Sequence, residues 1–228
     1  MTKFSRSILI VMAIAAAIAT QSYGQSAGIW GGYLKLQVTG GPDAGTAWFG
    51  ILSDGGSTQP AHFLTPGATP TLNLGTITGL QITDAAMMTY KNGGADVTGA
   101  YYDWRVTLNG PPSGSFNAFN SGGSLPFGYN GPFTDVNGNT GEGSSSGDQQ
   151  WGGVDSVTAA NVLTGLSPGT YVMDVYGDAT TSVGTQYLNN GNGSNYSLEF
   201  TIVPEPSSIS LVVLGLLGAV GMIRRRKA

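Results

Sequence analysis

In YLKLQVT, residues 33–39, apolar and polar positions alternate: Leu34, Leu36 and Val38 fall on one side of an extended chain, and Tyr33, Lys35, Gln37 and Thr39 on the other. In YYDWRVTL, residues 101–108, Tyr102, Trp104, Val106 and Leu108 likewise oppose Tyr101, Asp103, Arg105 and Thr107. Each pattern predicts a half-buried antiparallel strand. Further strands are predicted in TAWFGIL from Thr46, TLNLGTIT from Thr71, LQIT from Leu80, AMMTY from Ala86, TYVMDVYG from Thr170 and YSLEFTIV from Tyr196. The stretches GGPDAG, SDGGST, KNGGAD and LNGPPSG separate them as turns. Thirty-seven glycines punctuate the chain too often for long helices. The fold class is therefore all-β, an antiparallel β-sandwich of roughly eight to ten strands with long Gly-rich loops, because two sheets can bury their apolar faces on each other. Residues 110–147, dense in Gly and Pro, read as a long irregular insertion.

One stretch narrows the architecture. LTGLSPGTYVMDVYGD, residues 163–178, resembles the L-x-P-G-x-Y strand start of fibronectin-type sandwiches. The resemblance implies a fibronectin/immunoglobulin-like subtype, with a jelly-roll-like sandwich as the alternative, and makes Tyr171 the fold marker whose hydroxyl ties the connection between strands.

Both ends of the chain depart from this pattern. Lys3 and Arg6 precede an uncharged run, Ile8 to Ala19, and the small residues Ser22 and Gly24 follow. That order predicts a signal peptide over residues 1–24, cleaved between Gly24 and Gln25. Near the other end, Pro206 to Ile223 is 18 residues without a charge. At about 1.5 Å per helical residue it reaches roughly 27 Å, close to the thickness of a hydrocarbon core. A transmembrane helix over 207–223 is predicted, with Arg224, Arg225, Arg226 and Lys227 as a cytoplasmic basic stop. The domain organisation is thus 1–24 signal peptide, 25–202 extracellular domain and 203–228 C-terminal signal.

Removing the ends changes the charge. The whole chain has formal charge −4, but residues 25–203 keep only Lys35, Lys91 and Arg105 against twelve acids, a formal −9. A domain this acidic repels phosphate backbones, which excludes nucleic acid as a partner. With no cysteine, stability rests on packing rather than disulfides.

Candidate chemistry is sparse. His62 is the only histidine, in PAHFLTPG, with no nucleophile motif around it, and with no cysteine the usual zinc ligands are missing. Paired carboxylates for glycoside hydrolysis are conceivable among Asp103, Asp174 and Asp178, but spacing selects no pair. DVNGNTGEG places Asp135, Asn137 and Asn139 at alternating positions, as at the opening of a calcium loop, with Glu142 and Asp148 near. Thr140 and Ser146 stand where an EF-hand wants Gly and an acid, so calcium is a candidate ligand and no cofactor is required. Asn192 and Asn195 match the glycosylation acceptor pattern in an Asn- and Ser-rich loop. Trp30, Trp48, Trp104, Trp151, Tyr101, Tyr129 and Tyr187 are candidate sugar platforms. Trp151, flanked by Gln149 and Gln150, is the most suggestive glycan contact.

The sequence VPEP at Val203, Pro204, Glu205 and Pro206, the uncharged run and the terminal basic cluster together resemble the PEP-CTERM sorting signal of exported bacterial proteins. The two prolines hold Glu205 on a stiff, extended segment beside the membrane, a shape a processing enzyme can read. The resemblance implies a membrane-embedded exosortase as partner. Both targeting segments, with the acidic cysteine-free sandwich and the empty catalytic search, lead to the expectation of export through the secretion translocon, an inner-membrane intermediate, and a mature protein at the cell surface or in the extracellular matrix, associated with exopolysaccharide. The empty catalytic search points to a non-enzyme. The competing expectations are a secreted carbohydrate-active enzyme and a lectin-like module.

Overall fold

Gly40 and Gly41, both at positive φ, turn the chain between β1 (Ser26–Thr39) and β2 (Gly45–Leu52), which pair antiparallel. The computed structural model describes residues 25–52, 60, 62–67, 70–109, 113–120, 123–130, 133–136, 138, 140–141, 147–153, 159–188 and 195–203. Along them follow β3 (His62–Phe63), β4 (Thr65–Pro66), β5 (Asn73–Ile77), β6 (Gly79–Asn92) and β7 (Val97–Leu108). Next come β8 (Asn117–Ala118), β9 (Phe127–Tyr129), β10 (Phe133–Thr134), β11 (Thr140–Gly141), β12 (Gln149–Gly152) and β13 (Ala160–Asn161). The last are β14 (Gly169–Thr181), β15 (Gly184–Leu188) and β16 (Tyr196–Ile202).

These strands form two seven-stranded sheets. The first runs β3-β2-β1-β6-β12-β9, with β13 also on β6; the second runs β4-β16-β14-β7-β8, with β15 on β14 and β5 on β16; β10 and β11 pair separately. The expectation of a purely antiparallel arrangement is corrected at two places, where β3 runs parallel to β2 and β5 parallel to β16. Both are short strands at sheet margins.

One core joins the two sheets. Leu34, Leu36, Val38, Leu80 and Ile82 from the first cluster with Met173, Val175, Leu198 and Phe200 from the second, and fully burying each such side chain contributes about 1.5–3 kcal/mol. The sheets approach closely at glycines: a Cβ on Gly32 would lie 2.7 Å from the Tyr102 hydroxyl, and one on Gly177 would lie 2.8 Å from the Met87 methyl. The Tyr102 hydroxyl donates to the Ala86 carbonyl of the other sheet at 3.0 Å. Burial holds that hydroxyl well above the ordinary tyrosine range, so it stays neutral.

Two bulges reset which residues face this core. Trp30 is the extra residue of β1 opposite Thr89 and Met88, and Thr83 the extra residue of β6 opposite Lys35 and Leu36. Thr83 Oγ donates to the Lys35 carbonyl at 3.1 Å, pinning the second bulge. Before it Leu80 and Ile82 face the shared core; after it Ala85 and Met87 do, and Ala86 and Met88 turn to the opposite face. There a second cluster forms from Tyr33, Ala86, Met88 and Phe133, with Trp30 and Trp48 against it.

Residues 110–147 depart from the expected irregular insertion. Their described part supplies β8 to β11, and Phe119, Leu125 and Phe133 are buried. Widely spaced aromatic and aliphatic residues in a glycine-rich background anchor the segment against both sheets. The Tyr171 hydroxyl donates to the Ser167 carbonyl at 2.7 Å, closing the turn that starts β14. No helix occurs among the described residues, hence none long and apolar enough to cross a membrane. The expected signal helix and the helix over 207–223 lie outside the described residues.

Candidate functional site

Strand alternation sets a row of polar side chains on the outer face of the second sheet. In β14, Met173, Val175 and Ala179 belong to the core, so Asp174, Tyr176 and Asp178 project the other way. Register with β7 places Arg105 opposite Asp174, Asp103 opposite Tyr176 and Tyr101 opposite Asp178. On the other side of β14, β15 sets Tyr187 opposite Asp178. Three strands thus bring three carboxylates, one guanidinium and three tyrosines onto one face.

The segment from Ser113 to Leu125 walls this patch. β8 pairs with β7 at Asp103 and Trp104, the Phe119 N–H donates to the Tyr102 carbonyl at 2.9 Å, and the Leu125 N–H donates to the Ala100 carbonyl at 2.7 Å. Between wall and sheet lies a cavity of about 300 Å³ lined by Tyr101, Tyr102, Asp103, Ala118, Gly123 and Asp178. Its volume suits one small polar ligand or one unit of a longer one.

The two cavity carboxyls are perturbed alike. Burial pushes the Asp103 carboxyl above its ordinary range, against a hydrogen bond from the Tyr176 hydroxyl that holds it down. Burial likewise pushes Asp178 up, and the negative charge of Asp103 adds to the effect. The Tyr176 hydroxyl is itself raised, first by burial and then by the Asp103 charge beside it. Its ring is held edge-on by Phe116, centroids 4.8 Å apart.

Asp174 has a different role. Arg105 donates to its Oδ2 from both Nε and Nη2 at 3.0 Å, while Arg105 Nη1 donates to the Gly114 carbonyl at 3.0 Å. The guanidinium also lies 4.4 Å from the Phe116 ring centroid. Arg105 therefore clamps the wall segment to the sheet. Asp174 is buried, and burial raises its carboxyl even against the pull of Arg105. Of the three acids considered for carboxylate chemistry, the fold brings Asp103 and Asp178 together and gives Asp174 to an ion pair.

The remaining candidates are scattered. His62 lies on β3, stacked on Phe49 at 5.1 Å with Nε2 3.6 Å from Asp43. Trp151 sits in β12 between β6 and β9, only 6% exposed, its indole N–H donating to Thr89 Oγ at 3.2 Å and its ring meeting Phe127 edge-on. A sugar platform needs an open ring face, and as placed here Trp151 presents none, because strands flank it on both sides. Gln149 and Gln150 beside it are also buried. Tyr187 and Tyr129 are the strongly exposed candidates, and Tyr187 borders the cavity strands. Asp135 is buried, while Asn137, Asn139, Asn192 and the signal cleavage residue Gly24 lie outside the described residues. Among the described residues no three His, Cys, Asp or Glu side chains converge as a metal site requires.

The C-terminal signal begins where the second sheet stops. β16 ends at Ile202, Val203 is half-exposed, and Pro204, Glu205, Pro206 and the basic residues 224–227 lie outside the described residues. A family model described as the PEP-CTERM protein-sorting motif matches residues 203–227. The chain carries a PEP-CTERM sorting motif. It is accordingly an exported protein whose C-terminal, membrane-associated signal is sorted by an exosortase, its processing partner. No curated protein matches the chain.

Proposed function

We propose that this PEP-CTERM protein is a non-enzymatic component of the cell surface or extracellular matrix, with a β-sandwich body associated with exopolysaccharide. It enters the export route through the secretion translocon, loses residues 1–24, and is held in the inner membrane by residues 207–223 until the exosortase acts. The observation that carries this reading is the sorting motif at residues 203–227. The shared core between two sheets supports a free-standing sandwich, and the acidic body suits a solvated role outside the cell.

Intact-mass measurement of the protein from envelope and medium tests it. With a working exosortase the mature species starts at Gln25 and lacks Arg224 to Ala228; without the enzyme the basic end is retained. A mature form that keeps Arg224 to Ala228 in exosortase-competent cells sinks the processing claim.

A secreted carbohydrate-active enzyme is the second reading, favoured by Asp103 and Asp178 sharing one cavity. Hydrolysis by two carboxylates needs their environments to drive the acid and its partner apart in proton affinity. Here both groups are pushed in the same direction by the same cause, burial, which favours binding over catalysis. Release of reducing ends from a polysaccharide, abolished by Asp178→Asn, would decide for the enzyme.

A further inference from the structure

None of the three basic residues of the body lines the Asp103 and Asp178 cavity, although Arg105 lies two residues from Asp103 on the same face. Arg105 is held by Asp174, Lys91 by Asp96 at 2.5 Å, and Lys35 lies on the other sheet, 5.7 Å from the Trp48 ring centroid. The groups facing the two carboxylates across β7, β14 and β15 are Tyr101, Tyr176 and Tyr187. Asp103 accepts from Tyr176, and the Tyr101 ring folds over Gly99, where a Cβ would sit 2.6 Å from its hydroxyl. Two negative charges and aromatic rings thus surround a space with no protein cation in it among the described residues. A positively charged ammonium placed there would relieve the repulsion between the carboxylates, donate hydrogen bonds to them and meet ring faces that attract cations.

The cavity is too roomy, and its carboxylates too few, for a bare calcium ion, which takes six or more oxygen ligands. An ammonium group carried on a larger polar body fits its size. Tyr187, 62% exposed, offers an apolar face beside Asp178 for the C–H side of a ring.

We propose that the Asp103 and Asp178 cavity binds a protonated amino sugar, its ammonium group between the two carboxylates and its ring against Tyr187. This deepens the polysaccharide association proposed above and rests on it for the source of the ligand. It is an acid-lined subsite for glycans that carry free amines.

The test is calorimetric titration of the purified full exported chain. Three probes are used: a glucosamine tetramer, its fully N-acetylated counterpart, and ethylamine. The glucosamine tetramer binds, weakens as salt is raised, and loses about tenfold or more in affinity in Asp178→Asn, as removal of a charge-assisted hydrogen bond predicts. Tyr187→Ala weakens it severalfold, with an unchanged far-ultraviolet spectrum and melting temperature as the folding control. Equal binding of the N-acetylated tetramer overturns the ammonium assignment. Ethylamine binding as tight as the tetramer overturns the sugar assignment. Undiminished affinity in both Asp178→Asn and Asp103→Asn overturns the site. Absence of binding to all three overturns the proposal and leaves the sorting reading standing, since that is decided by the mass of the processed tail.

Discussion

Arg105→Met removes both donors from Asp174 and frees the wall segment at Gly114, leaving a carboxylate whose side chain is 3% exposed without its cation. Breaking one side of a buried pair costs about 3–5 kcal/mol, and the 18% exposure of the Arg105 side chain puts this case at the lower end, about 3 kcal/mol. For a body of this size that is a fall in melting temperature of roughly 6–12 °C. The penalty depends on pH with a defined sign. The folded Asp174 carboxyl already sits above its unfolded value, and removing Arg105 raises it further. Stability tied to this group is full below the unfolded carboxylate range and is lost as pH rises through the raised folded value. Urea denaturation of wild type and variant between about pH 4 and about pH 7.5 should therefore show a gap widest at neutral pH that narrows on acidification. Arg105→Met with Asp174→Leu should recover most of the loss, because the orphaned charge goes with its partner. A gap independent of pH, or a double variant no better than the single, would refute the clamp.

Three further outcomes follow from the same contacts. Asp103 and Asp178 are also raised by burial, so wild-type stability should decline from about pH 4 towards neutral, and Asp178→Asn should flatten that decline and raise the neutral melting temperature; a steeper decline counts against the shared cavity. Tyr171→Phe keeps the ring stacked on Phe200 but leaves the Ser167 carbonyl unpaired, a loss of about 1 kcal/mol by denaturant titration. Gly152→Ala should cost more than about 2 kcal/mol and separate β12 from β6, since φ is +69° and the new Cβ would lie 1.9 Å from the Ala85 carbonyl oxygen; amide exchange along β12 reports it.

Legibility in the sequence followed the physics of the strand. Leu34, Leu36 and Val38 face the core as their alternation predicts, and Tyr171 closes its turn as the LSPGTY stretch implies. LQIT and AMMTY look like two strands because the bulge at Thr83 breaks the alternation of one continuous strand, β6; a bulge is set by the partner strand and leaves no local pattern. Met87 and Met88 are buried on opposite faces because Phe133 returns from the glycine-rich insertion to cover the outer side, a contact between residues far apart in the chain. Trp151 has the composition of a platform and the location of a core residue; only its place between β6 and β9 separates the two. Asp103 and Asp178 each occupy outward strand positions, but the register that makes them neighbours through Tyr101 and Tyr176 is a tertiary choice.

β16 ends at Ile202, and Pro204 follows two residues later. Two extended residues span at most about 7 Å, so the sorting motif has almost no tether of its own. Whatever reads Pro204 to Pro206 must work in the shadow of the folded domain. The last residues of β16, paired to β14 and to β5, therefore lie beside the start of the motif. Under the proposed processing, fraying of that strand from its neighbours should lengthen the tether and quicken removal of the tail, which would couple the local stability of the second sheet to the release of the domain.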